Sequence, residues 1–199
     1  MRILIAFLVG LTVAFIMTPL TKKLSMHLGV VDKPDARKVH TGIMTRLGGL
    51  GIYFGFLAGV IVYGNYSPTL VGVMLSSTII VAVGFIDDVK NISPKMKLLG
   101  QIVAAIILML FGVSLEYITN PINGNLINLG LWGYPITLIW LVGISNAVNL
   151  IDGLDGLCAG ISSIYFFTIA VIAIVLNRLG GLDIILSLIM LGSTWGFLM

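Results

Sequence analysis

Charge is scarce in this chain: only 10% of its 199 residues are Asp, Glu, Lys or Arg, against 58% hydrophobic. With a mean hydropathy of +1.12, there is too little polar surface to cover a water-soluble domain, and that class is excluded. Cysteine is scarcer still. The single Cys158 rules out an internal disulfide and, without a CxxC or a neighbouring histidine, carries no metal signal, so it reads as a small packed apolar residue. His27 and His40, the two histidines, are expected in loops rather than as ligands or bases.

What the chain has in abundance is long apolar runs, best counted in membrane spans of about 20 residues each. Seven are expected, at 2–20, 47–64, 69–86, 97–113, 133–151, 157–177 and 182–199. The expected fold class is all-α, a polytopic bundle of one transmembrane domain covering 1–199. The first run is not a signal peptide, because it lacks a small-residue cleavage site and is followed by Lys22 and Lys23. The last run stops at Met199 with no polar flank, so the expectation is a truncated chain.

The net charge of +3 does not point to nucleic acid, since the basic residues sit in short loops between spans. With the N-terminus outside, Lys22, Lys23, Lys33, Arg37, Lys38, Arg46, Lys90, Lys95 and Lys97 all fall inside, leaving Arg2 and Arg178 outside. That asymmetry sets the orientation. Acidic residues obey no such rule, yet Asp32, Asp35, Asp87, Asp88, Asp152 and Asp155 also fall inside. An inner face rich in both signs suits a ligand that combines a cation with anionic groups. On the other side, Asn120-Pro121 and Asn123-Gly124 punctuate Ser114–Pro135 and predict a small external hairpin. Gly51, Gly55 and Gly59, four residues apart in the second span, predict a close helix–helix approach.

Three inner segments could carry chemistry. In Gly84-Phe-Ile-Asp87-Asp88-Val-Lys90-Asn91, two adjacent carboxylates repel each other and are costly to desolvate, a cost that a divalent metal or a partner lysine relieves. For Asp-Asp alone, a pair of solvated interfacial aspartates is the preferred reading. In Asn146-Ala-Val-Asn149-Leu-Ile-Asp152-Gly153-Leu-Asp155-Gly156, steps of three residues turn each polar side chain about −60° on a straight helix. One helix therefore cannot aim all four at one place. Gly153 and Gly156 are expected to end it near Asp152 and let Asp155 turn back. From Pro135 to Ile151 the helix would span about 25 Å against roughly 30 Å of hydrocarbon, so the turn can sit in a recess. Oxygen donors from Asn149 and Asp152 suit magnesium. The alternative, a solvated glycine turn, has to account for two asparagines inside an apolar span. The third segment, Asp32-Lys-Pro-Asp-Ala-Arg37-Lys38-Val-His40 with Arg46 and Gly48-Gly49 after it, serves phosphate contact and membrane orientation equally well. Lys95 and Lys97 share that ambiguity.

Together DKPDARKVH, GFIDDVKN, KMKLLGQ and NAVNLIDGLDGL, in this order, resemble the polyprenyl-phosphate N-acetylhexosamine-1-phosphate transferases, above all the bacterial undecaprenyl-phosphate GlcNAc-1-phosphate branch. The resemblance implies transfer of a sugar 1-phosphate from a UDP-sugar to undecaprenyl phosphate, with release of UMP and Mg2+ as cofactor, Mn2+ being the alternative. It implies a bacterial cytoplasmic membrane, an inner-facing site and the start of teichoic acid, O-antigen or related glycan synthesis, and leaves a homodimer open. By position, Asp87 and Asp88 match the paired aspartates near metal and acceptor phosphate, and Lys97 a phosphate-holding lysine. Asn149 and Asp152 match metal-proximal positions, and Asp155 one near the nucleotide. Lys38 and Arg46 fall in the diphosphate-contacting segment. The expected catalytic set is thus Asp87, Asp88 and Asp152, the metal set Asp88, Asn149 and Asp152, and the substrate set Lys38, Arg46, Lys97, Asn146 and Asp155.

Two departures stand out. Asn91 occupies a place where some relatives carry a third aspartate, and the family continues for several further spans, with a later metal-binding aspartate and a histidine-rich loop. A chain of these 199 residues alone is therefore expected to show little catalysis. A transporter or channel is the first rival reading, but it calls for polar residues spread through the membrane depth. A phosphotransferase of the CDP-alcohol class is the second, and needs an arginine shortly after its first Asp-Gly, where Asp152-Gly153 is followed by Leu154, Asp155 and Gly156.

Overall fold

The computed structural model describes residues 2–32, 44–151 and 156–199. Seven α-helices fall among these residues: α1 (Arg2–Leu28), α2 (Gly49–Tyr63), α3 (Pro68–Lys90), α4 (Pro94–Leu110), α5 (Gly133–Ile151), α6 (Leu157–Val175) and α7 (Leu182–Leu198). Two short antiparallel pairs join them, β1 (Val31–Asp32) with β2 (Met44–Thr45), and β3 (Tyr117–Thr119) with β4 (Leu126–Asn128). The all-α membrane architecture expected from hydropathy is the one found. By length and composition, α1, α3, α5 with its preceding 3-10 turn, and α6 can cross a membrane, whereas α2 and α7 are shorter apolar helices. Large apolar side chains such as Ile139 and Leu150 are 72% and 84% exposed, a surface that is costly in water and at home in hydrocarbon. The chain is a multi-pass membrane protein.

Helix ends follow local chemistry. α3 and α4 both open on a Ser-Pro pair, in which the hydroxyl of Ser67 or Ser93 accepts from the amide of Leu70 or Met96 and the proline fills the first helical position. α1 runs eight residues beyond the expected span, to Leu28, so His27 is helical rather than in a loop. Pro19 lies inside α1 without ending it, and the helix terminates only at Gly29, which takes φ +68°. There the amide of Val30 donates to the Ser25 carbonyl at 2.9 Å and that of Gly29 to the Met26 carbonyl at 3.2 Å, the paired bonds of a glycine-terminated helix.

The chain forms two compact units. The first comprises residues 1–65, 88–90 and 151–199, the second 66–87 and 91–150. In the first, α1 packs on α2 and α7, and α7 on α6. The seam is built of small residues. A Cβ added to Gly55 would lie 2.6 Å from the Gly10 carbonyl oxygen and 2.8 Å from the Ala14 Cβ, and one added to Gly59 would lie 2.6 Å from the Ile189 Cγ2. One on Gly196 would come within 2.1 Å of the Leu11 carbonyl oxygen. The glycine spacing in α2 thus does what it predicts: backbones meet where a methyl group would not fit. Between α6 and α7 the buried hydroxyl of Ser163 donates to that of Thr194 at 2.8 Å.

In the second unit, α3, α4 and α5 are connected at one end by the Asn91–Ser93 turn and at the other by the predicted hairpin. Its register pairs Tyr117 with Asn128, Ile118 with Ile127 and Thr119 with Leu126. The asparagines close it: Oδ1 of Asn120 accepts from the Ile122 amide at 2.9 Å and Oδ1 of Asn123 from the Asn125 amide at 3.0 Å, while Gly124 takes φ +71°. The base is fixed by Thr137, 3% exposed, whose hydroxyl accepts from the Leu115 amide at 2.8 Å and donates to the Gly133 carbonyl at 2.6 Å.

Candidate functional site

The site grows out of the turn between α3 and α4. Asn91 adopts the left-handed conformation, φ 49°, and its amide donates to the Asp87 carbonyl at 2.7 Å, ending α3. Three residues later Pro94 starts α4. So short a reversal brings the last turn of one helix against the first turn of the next, and Lys97 Nζ lies 3.1 Å from Asp87 Oδ2. Both side chains are 27% exposed, enough for solvent or a ligand to reach them.

α5 completes the arrangement. Lys97 Nζ also donates to Oδ1 of Asn149 at 2.6 Å, so one ammonium joins the C-terminal end of α3, the N-terminal end of α4 and the C-terminal end of α5. This is the second of the two reliefs available to the aspartate pair, a lysine, and it answers the cost of an asparagine near the end of an apolar span. The ammonium has three protons, of which these two acceptors take two.

One turn further into the bundle stands a second polar contact. Asn146 Nδ2 donates to Gln101 Oε1 at 2.9 Å and Gln101 Nε2 to Asn146 Oδ1 at 3.4 Å, while Ser145 Oγ accepts from Gln101 Nε2 at 3.1 Å. The helical rotation that keeps Asn146 and Asn149 from sharing one target is thereby used: each meets a different residue of α4. Gln101 and Ser145 are not among the residues the sequence marks for the site. Gln101 closes the KMKLLGQ segment, and the signal for it is a lone carboxamide four residues after Lys97 in an apolar helix.

Asp88 is half-buried near the end of α3. Arg46 follows β2 and is exposed, with its amide donating to the Val30 carbonyl at 3.4 Å. Lys38, Asp152 and Asp155 lie outside the described residues. α5 is described to Ile151 and the chain resumes at Gly156 with φ +72°; the expected helix end at Asp152 lies outside the described residues. Among the described residues no cluster of three or more His, Cys, Asp and Glu side chains could hold a metal. The oxygens present, those of Asp87, Asp88 and Asn149, are hard donors of the kind that magnesium accepts.

Comparison with known proteins puts these motifs in context. A probable undecaprenyl-phosphate N-acetylglucosaminyl 1-phosphate transferase of Bacillus subtilis is 42% identical over 198 residues, 99% of this chain and 55% of the relative. A decaprenyl-phosphate N-acetylglucosaminephosphotransferase of Mycolicibacterium smegmatis is 33% identical, over 96% of this chain and 52% of its own length. An undecaprenyl-phosphate alpha-N-acetylglucosaminyl 1-phosphate transferase of Salmonella typhi is 35% identical, over 77% and 42% respectively. The chain spans about half the length, or less, of these curated relatives. The family model for glycosyl transferase family 4 matches residues 70–199, which include every member of the Asp87–Lys97–Asn149 contact and of the Gln101–Asn146 pair. On that match the chain belongs to glycosyl transferase family 4.

Proposed function

We propose that this chain carries part of the machinery that transfers a sugar 1-phosphate, GlcNAc-1-phosphate in the first instance, from a UDP-sugar to undecaprenyl phosphate with release of UMP. The observation that supports this most is the contact of Lys97 with Asp87 and Asn149 at 3.1 and 2.6 Å, because it gathers a cation and oxygen donors from three helix ends at one place. In this reading the N-terminus is external and the site faces the cytoplasm, where the nucleotide sugar is. Lys38 and Arg46 contact the diphosphate, and Asp155 lies near the nucleotide.

Oxygens of Asp88, Asn149 and Asp152 would hold magnesium, which would supply charge stabilisation at the phosphates. The chain's own residues supply position and electrostatics, from which phosphoryl transfer draws most of its acceleration. Lys97 offers its ammonium to a phosphate oxygen, and Asp87 orients that ammonium. A lipid phosphate oxygen then attacks the β-phosphorus of the UDP-sugar, and the bond to the oxygen of the departing UMP breaks.

No general base is required in this scheme. A phosphate monoester has a second pKa of about 6, so near neutrality the nucleophile is already largely deprotonated. The aspartate pair works through orientation and metal. Membranes containing this chain joined to the remaining length of a curated relative, incubated with radiolabelled UDP-GlcNAc, should accumulate lipid-linked label and release UMP. Label that stays water-soluble, or crosses the membrane as intact nucleotide sugar, contradicts the reading, and the latter outcome favours a transporter.

A further inference from the structure

Gln101 is 5% exposed on an apolar helix, and every polar atom of its carboxamide is engaged. Oε1 accepts from Asn146 Nδ2 at 2.9 Å, while Nε2 donates to Ser145 Oγ at 3.1 Å and Asn146 Oδ1 at 3.4 Å. Asn146 in turn donates its remaining proton to the Val142 carbonyl at 2.8 Å. A reciprocal amide pair of this kind is directional. It is satisfied at one axial offset and one rotation of α4 against α5, whereas apolar contacts in a lipid environment set neither sharply.

The pair is placed where that matters. Lys97 and Gln101 are four residues apart on α4, and Asn149 and Asn146 three apart on α5, so the two contacts are successive polar rungs between the same two helices, about 5 Å apart along the axis. Lys97 is a long side chain with many rotamers, and it has to hold its ammonium on both Asp87 and Asn149. A shift of the helices by about 1 Å at a phosphate-handling group costs on the order of 10²-fold in rate.

We propose that Gln101 is a positioning residue: its amide exchange with Asn146 fixes the register of α4 on α5 and thereby holds the Lys97 ammonium between Asp87 and Asn149. The sequence motif supplies the two rungs together, one in KMKLLGQ and one in NAVN. The inference rests on the transferase reading only for the statement that Lys97 meets a phosphate; the coupling between the rungs is a property of the chain itself.

The test reads Lys97 directly. The protein in lipid nanodiscs is labelled with limiting amine-reactive ester, and modification of Lys97 is followed by peptide mass spectrometry across a pH series. Exposed Lys95, on the same helix, is the internal reference. Gln101→Leu is expected to raise the labelling rate of Lys97 relative to Lys95 several-fold, with helicity by circular dichroism unchanged. The swapped pair, Gln101→Asn with Asn146→Gln, keeps the combined length and should return the ratio to the wild-type value. Should the leucine variant fail to fold, Gln101→Glu keeps the acceptor for Asn146 Nδ2, loses both donors and should give an intermediate ratio. In the transfer assay the leucine variant should lower kcat more than it raises KM for the UDP-sugar.

An unchanged Lys97 ratio in a folded Gln101→Leu protein overturns the positioning role, whatever the enzyme does. A changed ratio in a chain that transfers no sugar phosphate even when joined to the remaining length of a curated relative leaves the coupling standing and removes the transferase reading.

Discussion

Lys97 and Asn149, 52 positions apart in the chain, meet at 2.6 Å, and this bond fastens the first turn of α4 to the end of α5. Lys97 is a compact point charge with acceptors on two other helices, Asp87 and Asn149. On the proposed transferase reading, Lys97→Met should reduce lipid-linked product by about 10²-fold or more, measured as label transferred from UDP-GlcNAc. Lys97→Arg should not restore it, because a planar guanidinium cannot direct its donors as an ammonium does. A fully active arginine variant would show that charge alone suffices.

If the aspartate pair acts through metal and orientation, Asp88→Asn should raise the magnesium concentration required for transfer at every pH. It should also shrink the rise in unfolding temperature expected on adding magnesium to the wild type. A lipid phosphate has its second ionisation at a pH of about 6 and is already deprotonated above neutrality, so the defect should not be repaired by alkali. Near-normal rates at about pH 9, with an unaltered magnesium requirement, would instead establish Asp88 as a general base.

The α1–α2–α7 seam makes an opposite pair of predictions for glycine. At Gly55 a new Cβ meets the Gly10 carbonyl oxygen at 2.6 Å, and Gly55→Val should cost about 1–3 kcal/mol or more, seen as a lower unfolding temperature in detergent. At Gly160 of α6 nothing lies within 4 Å of the added atom, so Gly160→Ala should gain up to about 1 kcal/mol from helix propensity. Equal responses at the two positions would contradict the packing described for α2.

Thr137→Val removes a hydroxyl that serves both the Leu115 amide and the Gly133 carbonyl. The isosteric change strands a part-buried N–H, at a cost of up to about 1–3 kcal/mol. Hydrogen exchange at Leu115 should accelerate while that in α1 and α7 stays at the wild-type rate. Protection retained at Leu115 would mean that another acceptor had replaced the threonine.

How much of this can be read from the residues depends on the kind of signal. Runs of apolar residues bounded by glycine, proline or serine locate the helices, and for α5 the expected 133–151 is the observed extent. Asn-Pro and Asn-Gly mark the hairpin because these turns are local. The end of α1 lies later than the apolar run implies, since hydropathy falls at Thr21 while backbone geometry does not change until Gly29. At the candidate site Asp87, Lys97 and Asn149 announce themselves as polar residues beside apolar spans. That Lys97 joins the other two depends on how three helix ends converge, which spacing along the chain does not encode. Gln101 escapes notice because an uncharged amide barely disturbs a hydropathy profile, though burial makes it demanding of partners.

The backbone-to-backbone seam of α1, α2 and α7 also restricts how this protein can vary. Where Gly55 faces Gly10 and Gly196 faces Leu11, no flexible side chain is available to absorb an added methyl group. Random drift at these sites therefore has nowhere to go singly: the nearest obstructing atoms are backbone carbonyls, so a bulkier residue on one helix is admissible only with a displaced axis on its neighbour. Libraries that vary one helix at a time should recover almost nothing there except glycine.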